Sequence, residues 1–179
     1  MRFELKVCID PGLSEPPGPE ASLEAEINMA IARCLGDSLL NSGFSVVFTR
    51  EDDMEDDSFV FRISVANTTF ANIFVSIHCS QTEEPVAGVE TVCFPASEEG
   101  FRLANCIQIE LASLGYTNDR GVAETDFPML RFTEMPAVLV RCGCLNHPSD
   151  REVLISEVGQ QRIASAVALG IETYFLDQA

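Results

Sequence analysis

Val7-Cys8-Ile9-Asp10-Pro11-Gly12-Leu13 is an apolar run that stops in an Asp-Pro-Gly turn. Its apolar residues are consecutive rather than alternating, the pattern of a strand buried on both faces, and the turn triplet suits a sharp exit. With Leu5 included, this first run covers 5–9, and four more of the same kind follow at 44–49, 73–77, 88–94 and 137–142. Amphipathic segments lie between them. Alternation of this sort predicts an α/β fold: a three-layer sandwich with a mostly parallel sheet of about six strands and helices on both faces.

The helices are legible from their apolar spacing. Leu23, Ile27, Ala30, Ile31, Cys34, Leu35 and Leu39 form one stripe. Phe59, Ile63, Ala66 and Phe70 form a second, with Ser58 placed to cap it, and Phe101, Ala104, Ile107, Leu111 and Leu114 form a third. A last helix is expected to open on the capping box Ser149-x-x-Glu152 and to carry Val153, Ile163, Val167, Ile171 and Tyr174 on its apolar face. Gly43 and Gly115 sit just past helices, where a left-handed C-cap is cheapest.

A chain of 179 residues with 46% hydrophobic content holds one sizeable core, and no repeat or linker interrupts it, so a single domain over 1–179 is expected. No run of about 18 apolar residues is present, which predicts no membrane span. Residues 1–6 lack a signal peptide's apolar stretch, so the expectation is a cytoplasmic protein, or a cell-envelope one if an export signal lies outside this sequence. The net charge of −17, with Lys6 the sole lysine, argues against nucleic acid and anionic membrane surfaces as partners. The seven cysteines show no pair-of-pairs spacing and read as reduced, small hydrophobes, and Cys142-Gly143-Cys144 matches a redox or zinc motif only weakly. The proline-rich stretch 14–19 and the acidic run 51–57 read as loops.

From the opening strand onward the chain resembles the zinc-dependent N-acetylmuramoyl-L-alanine amidases, which cut peptidoglycan between N-acetylmuramic acid and L-alanine. The resemblance rests on an ordered series: Val7 to Gly12, then Glu24-Ala25-Glu26-Ile27-Asn28, Phe48-Thr49-Arg50, Ser76-Ile77-His78, Gly88-Val89-Glu90-Thr91, Arg120-Gly121-Val122, Met129-Leu130-Arg131 and Met135-Pro136-Ala137. It implies zinc ligands at positions 13, 24 and 78, and a catalytic glutamate at 141. Glu24 and His78 match, but Leu13 stands at the third ligand position and Arg141 at that of the glutamate. Asn146 and Asp150 match the loop beyond, so the register holds there.

Catalytic zinc takes about three protein ligands and leaves one position for a water, whose proton passes to a carboxylate. Leucine offers no donor atom, and a guanidinium stays protonated and repels a cation. The residues therefore predict a metal-free, non-hydrolysing domain that binds peptidoglycan fragments or a protein partner. Arg141 is expected to fill the zinc space and pair with Glu24. Asp10, Leu13, Leu130 and Arg141 are the expected cleft residues, with Asp10 organising its turn. Two other readings stand beside this one: an active amidase whose zinc is rescued by Asp10, Cys8 or Cys79, and a structural or assembly module with a filled cleft. A cysteine nucleophile, Cys8 or Cys142, is disfavoured by its apolar flanks, which raise a thiol pKa.

Overall fold

The computed structural model describes residues 5–13, 20–51, 58–80 and 86–177; the expected loop at 14–19, and the one at 51–57 apart from Glu51, lie outside that range. The first strand, β1 (Lys6–Pro11), leads through α1 (Ala21–Asn41), β2 (Ser45–Phe48) and α2 (Phe59–Thr68) to β3 (Ile73–Ser80). Next come β4 (Val89–Cys93), α3 (Glu98–Ser113), β5 (Asp119–Glu124), α4 (Pro128–Arg131), β6 (Ala137–Cys144), α5 (Pro148–Leu154) and α6 (Glu157–Leu176). The sheet order is β2-β1-β3-β6-β4-β5. Strands β2, β1, β3 and β6 run parallel, whereas β4 is antiparallel to β6 and β5 follows β4.

Among the described residues α1, α3, α5 and α6 lie on one face of the sheet and α2 and α4 on the other. On the first, α1, α3 and α6 pack over Val7, Ile9, Val75, Ile77, Val138 and Val140 to form the larger core. Each such fully buried aliphatic side chain contributes about 1.5–3 kcal/mol. On the second, α2 and α4 cover a smaller cluster that includes Cys8, Phe74, Leu139, Met129 and Leu130. The period-2 alternation of each strand decides the split, so Cys8 and Asp10 face α2 while Val7 and Ile9 face α1.

Three details differ from the sequence reading. The sixth strand is β5, Asp-Arg-Gly-Val-Ala-Glu, whose polar, edge-strand composition hides it from a search for apolar runs. The expected last helix is two. Ser149 lies inside α5, which begins at Pro148, while Ser156 caps α6 by accepting a hydrogen bond from Gly159 N (3.3 Å). Phe70 lies past the end of α2, 86% exposed and with φ 54°, so it leaves the apolar stripe. Its place on the buried side of that helix is taken by Arg62. Gly43 and Gly115 do adopt left-handed φ, at 87° and 65°.

Candidate functional site

A row of polar side chains crosses the α2 side of the sheet near the strand ends. Asp10 stands opposite Ser76 in the β1–β3 register, His78 opposite Arg141 between β3 and β6, and Arg141 opposite Glu90 between β6 and β4. Their alternate neighbours, among them Ile9, Ile77, Cys79 and Cys142, turn into the larger core. The sequence thus places charged groups at two-residue steps along otherwise apolar strands.

Asp10 is the hub of one half. Its carboxylate is fully buried and accepts hydrogen bonds from Thr49 Oγ1 and Ser76 Oγ, each at 2.5 Å. Arg62 Nε lies 3.4 Å from Asp10 Oδ1, with both side chains sealed from solvent. None of the three Arg62 guanidinium nitrogens makes a hydrogen bond among the described residues; its plane lies over the Phe59 ring, 5.3 Å from the centroid. Because Ser76 gives its hydroxyl proton to Asp10, its oxygen accepts from His78 Nε2–H at 3.0 Å. Asp10 therefore does more than shape its turn: it neutralises a buried cation and orients His78 through Ser76.

His78 is 8% exposed, and burial lowers its pKa from 6.5 to about 4; Asp10 opposes the shift, while Arg62, Arg141 and Arg50 reinforce it. Its ring occupies the space above Gly12, where any Cβ would fall within 2.3 Å of it. Asn28 ties the neighbouring strand ends together: its Nδ2 donates to Gly12 O (3.0 Å) and its Oδ1 accepts from Cys79 N (2.8 Å). Arg50 Nε donates to Pro11 O (2.7 Å), so the Thr49-Arg50 pair secures the same turn.

In the other half, Arg141 Nη1 donates to Glu90 Oε2, and Arg120 Nη2 lies 3.4 Å from Glu90 Oε1. This corrects the expected Arg141–Glu24 pair. Arg141 and Glu90 are cross-strand partners, and directly opposed side chains are about 5 Å apart at Cβ. Glu24 lies in the first turn of α1, buried, and adds to the upward shift of the Cys79 thiol, which burial chiefly causes. The shift of register between Val89 and Thr91 on β4 and the φ of 74° at Gly121 mark the bulge that carries Arg120. Gly88 leaves room for its stem, since a Cβ there would meet Arg120 Cδ at 2.4 Å.

The remaining expected residues are dispersed. Leu13 is half-buried just past the turn. Leu130 is buried by α4 in the smaller cluster, and it lines a groove with Phe94, Met135 and Ala137. Ala137 lies four residues, roughly 13 Å, down β6 from Arg141. Cys8 and Cys142 are buried, with thiols pushed up to about 12 by desolvation, so neither is a nucleophile at neutral pH. Among the described residues, no group of three or more His, Cys, Asp or Glu side chains is disposed to hold a metal ion.

Thr49, Arg62, Ser76, Glu90 and Arg120 acquire roles that the sequence did not reveal. A signal existed for Arg62, which is three residues after Phe59 and four before Ala66 and so falls on the apolar stripe of α2. Glu90 carried one too, as a lone charge within an apolar run.

This sheet order, with its polar row at the strand ends, defines an α/β domain of the peptidoglycan-amidase class. The N-acetylmuramoyl-L-alanine amidase family model matches residues 7–173, and the chain belongs to that family. It is 36% identical over 159 residues to the uncharacterized protein YqiI of Bacillus subtilis (strain 168), covering 85% of this chain and 74% of YqiI. It spans 35% of the length of the N-acetylmuramoyl-L-alanine amidase LytC of Bacillus subtilis (strain 168) and 50% of that of LytH of Staphylococcus aureus, whose name is that of a probable cell wall amidase. The crystal structure of an N-acetylmuramoyl-L-alanine amidase from Clostridium difficile 630 superposes with a TM-score of 0.89 at 30% identity, covering 98% of this chain and 99% of that one. The CwlD amidase from Clostridioides difficile, solved in complex with the GerS lipoprotein, superposes with a TM-score of 0.88 at 29% identity, covering 97% and 100%.

Proposed function

We propose that this domain binds fragments of peptidoglycan without hydrolysing them. The observation that carries the reading is Arg141, fixed by Glu90 beside His78 at the position where the family resemblance calls for a carboxylate. A zinc-bound water needs a base next to it, and a permanent cation there opposes both the metal and the proton transfer. The donors do not fit the metal either. Leu13 contributes none, and His78 already gives its Nε2–H to Ser76, which leaves Glu24 and the other ring nitrogen. No hydrolytic step is therefore assigned to this chain.

Zinc content after dialysis against trace zinc tests the reading, for the native chain and for His78→Ala, alongside a muropeptide hydrolysis assay. Equal zinc in both proteins and no cleavage is the expected outcome. One zinc per chain, lost on mutation and accompanied by cleavage, overturns it in favour of a rescued amidase.

A protein partner is the second reading, favoured by one observation: the CwlD structure is that of a complex with a lipoprotein. Among the described residues no helix is long and apolar enough to cross a membrane.

A further inference from the structure

Arg141 reverses the charge in one half of the polar row, and the surroundings are built to keep it there. One edge of its guanidinium is taken, since Nη1 donates to Glu90. The side chain is 35% exposed, and Nε and Nη2 have no partner among the described residues. That second edge presents two parallel donors, the geometry that matches a carboxylate.

Arg120 strengthens the anion preference. Two guanidiniums share the single Glu90 carboxylate, so the trio carries a net charge of about +1 within a chain of net charge −17. The bulge at Gly121 and the absence of a side chain at Gly88 hold Arg120 in that position. A surplus of one positive charge fits a monoanion. A phosphate carrying two charges would be opposed by Glu90 and by the charge of the whole protein.

The family's bond then identifies the anion. Hydrolysis between N-acetylmuramic acid and L-alanine converts the amide carbonyl into the lactyl carboxylate of the sugar. A glutamate at position 141 suits the amide before it is cut, whereas an arginine there suits the carboxylate after the cut. We propose that Arg141, braced by Glu90 and supported by Arg120, is a recognition site for the lactyl carboxylate of N-acetylmuramic acid, so that the domain binds the product of amidase action rather than its substrate. The inference rests on the non-hydrolytic binding reading above.

Calorimetric titration of the full chain with N-acetylmuramic acid and with its methylamide tests the proposal, with an uncleaved disaccharide–tripeptide as the third probe. The acid is expected to bind at least about tenfold more tightly than the methylamide, a difference of about 1.4 kcal/mol, and Arg141→Gln is expected to abolish that preference. Thermal unfolding checks the variant's fold; Glu90 keeps Arg120 when Arg141 is lost. If Arg141→Gln unfolds, Arg141→Lys, which retains a cation for Glu90 but not the second donor edge, carries the test in the same way. Equal affinity for acid and methylamide, or a preference that survives the substitution, overturns the proposal and leaves the binding reading intact. Binding of the uncleaved probe alone does the same. A chain that binds none of the three overturns both.

Discussion

Replacing Asp10 with asparagine removes the carboxylate that Arg62 faces while leaving side-chain volume unchanged. Both side chains are fully buried, 3.4 Å apart, and the guanidinium has no hydrogen-bond partner among the described residues to take over. Removing one member of a buried pair costs about 3–5 kcal/mol, because the other charge is left uncompensated in a medium that solvates it poorly. For a domain of this size about 2–4 °C of thermal midpoint is lost per kcal/mol, so the expected fall is about 6–20 °C. Arg62→Met should cost less than Asp10→Asn. It leaves Asp10 with two hydroxyl donors, Thr49 and Ser76, whereas the reverse substitution leaves Arg62 with the Phe59 ring. The double variant should recover much of the single loss. Urea unfolding of the three variants measures all of this. A loss below about 1 kcal/mol for Asp10→Asn, or a double variant as unstable as that single one, would show that the pair is not the electrostatic unit described.

Other outcomes follow from the same geometry. His78 has a folded pKa of about 4, below the 6.5 of an unfolded histidine, so the unfolded chain binds the extra proton first. Its contribution is fully present above about pH 6.5 and is lost as the pH falls toward 4, by about 3 kcal/mol in total; His78→Gln should flatten that part of the stability–pH curve. Gly12→Ala puts a methyl group within 2.3 Å of the His78 ring and should cost about 1–3 kcal/mol in denaturant unfolding, with the imidazole NMR signals displaced. In Gly170→Ala the new atom meets the Ile107 backbone at 2.5 Å, where α6 crosses α3; a loss at the top of that range or beyond is expected, since backbone yields less than a side chain. Asn28→Ala leaves Gly12 O and Cys79 N without their partner in a buried setting and should cost about 1–3 kcal/mol per group, read as faster amide exchange at Cys79.

Much of the fold was written in local pattern. The runs at 5–9, 73–77 and 137–142 became β1, β3 and β6, because strands buried on both faces must be continuously apolar. The stripes around Ile27–Leu39 and Ala104–Leu111 became α1 and α3 for the equivalent reason at helical period. The edge strand β5 was missed because it buries little and needs no apolar run. The break at Ser156 was missed because two helices that share one apolar face read as one.

For the site, the sequence determined the inventory: an arginine at 141, a leucine at 13, and Asp10 and His78 near strand ends. It did not determine which of these meet. Arg141 has Glu90 for a partner because β4 runs antiparallel beside β6, and Glu24 was the expected partner only in the absence of that register. Arg62 meets Asp10 because α2 crosses the strand end, bringing together residues 52 positions apart in the sequence, a contact no periodicity encodes. Side-chain chemistry is local and can be read residue by residue. Charge pairing depends on strand order and helix placement, which only the folded chain decides.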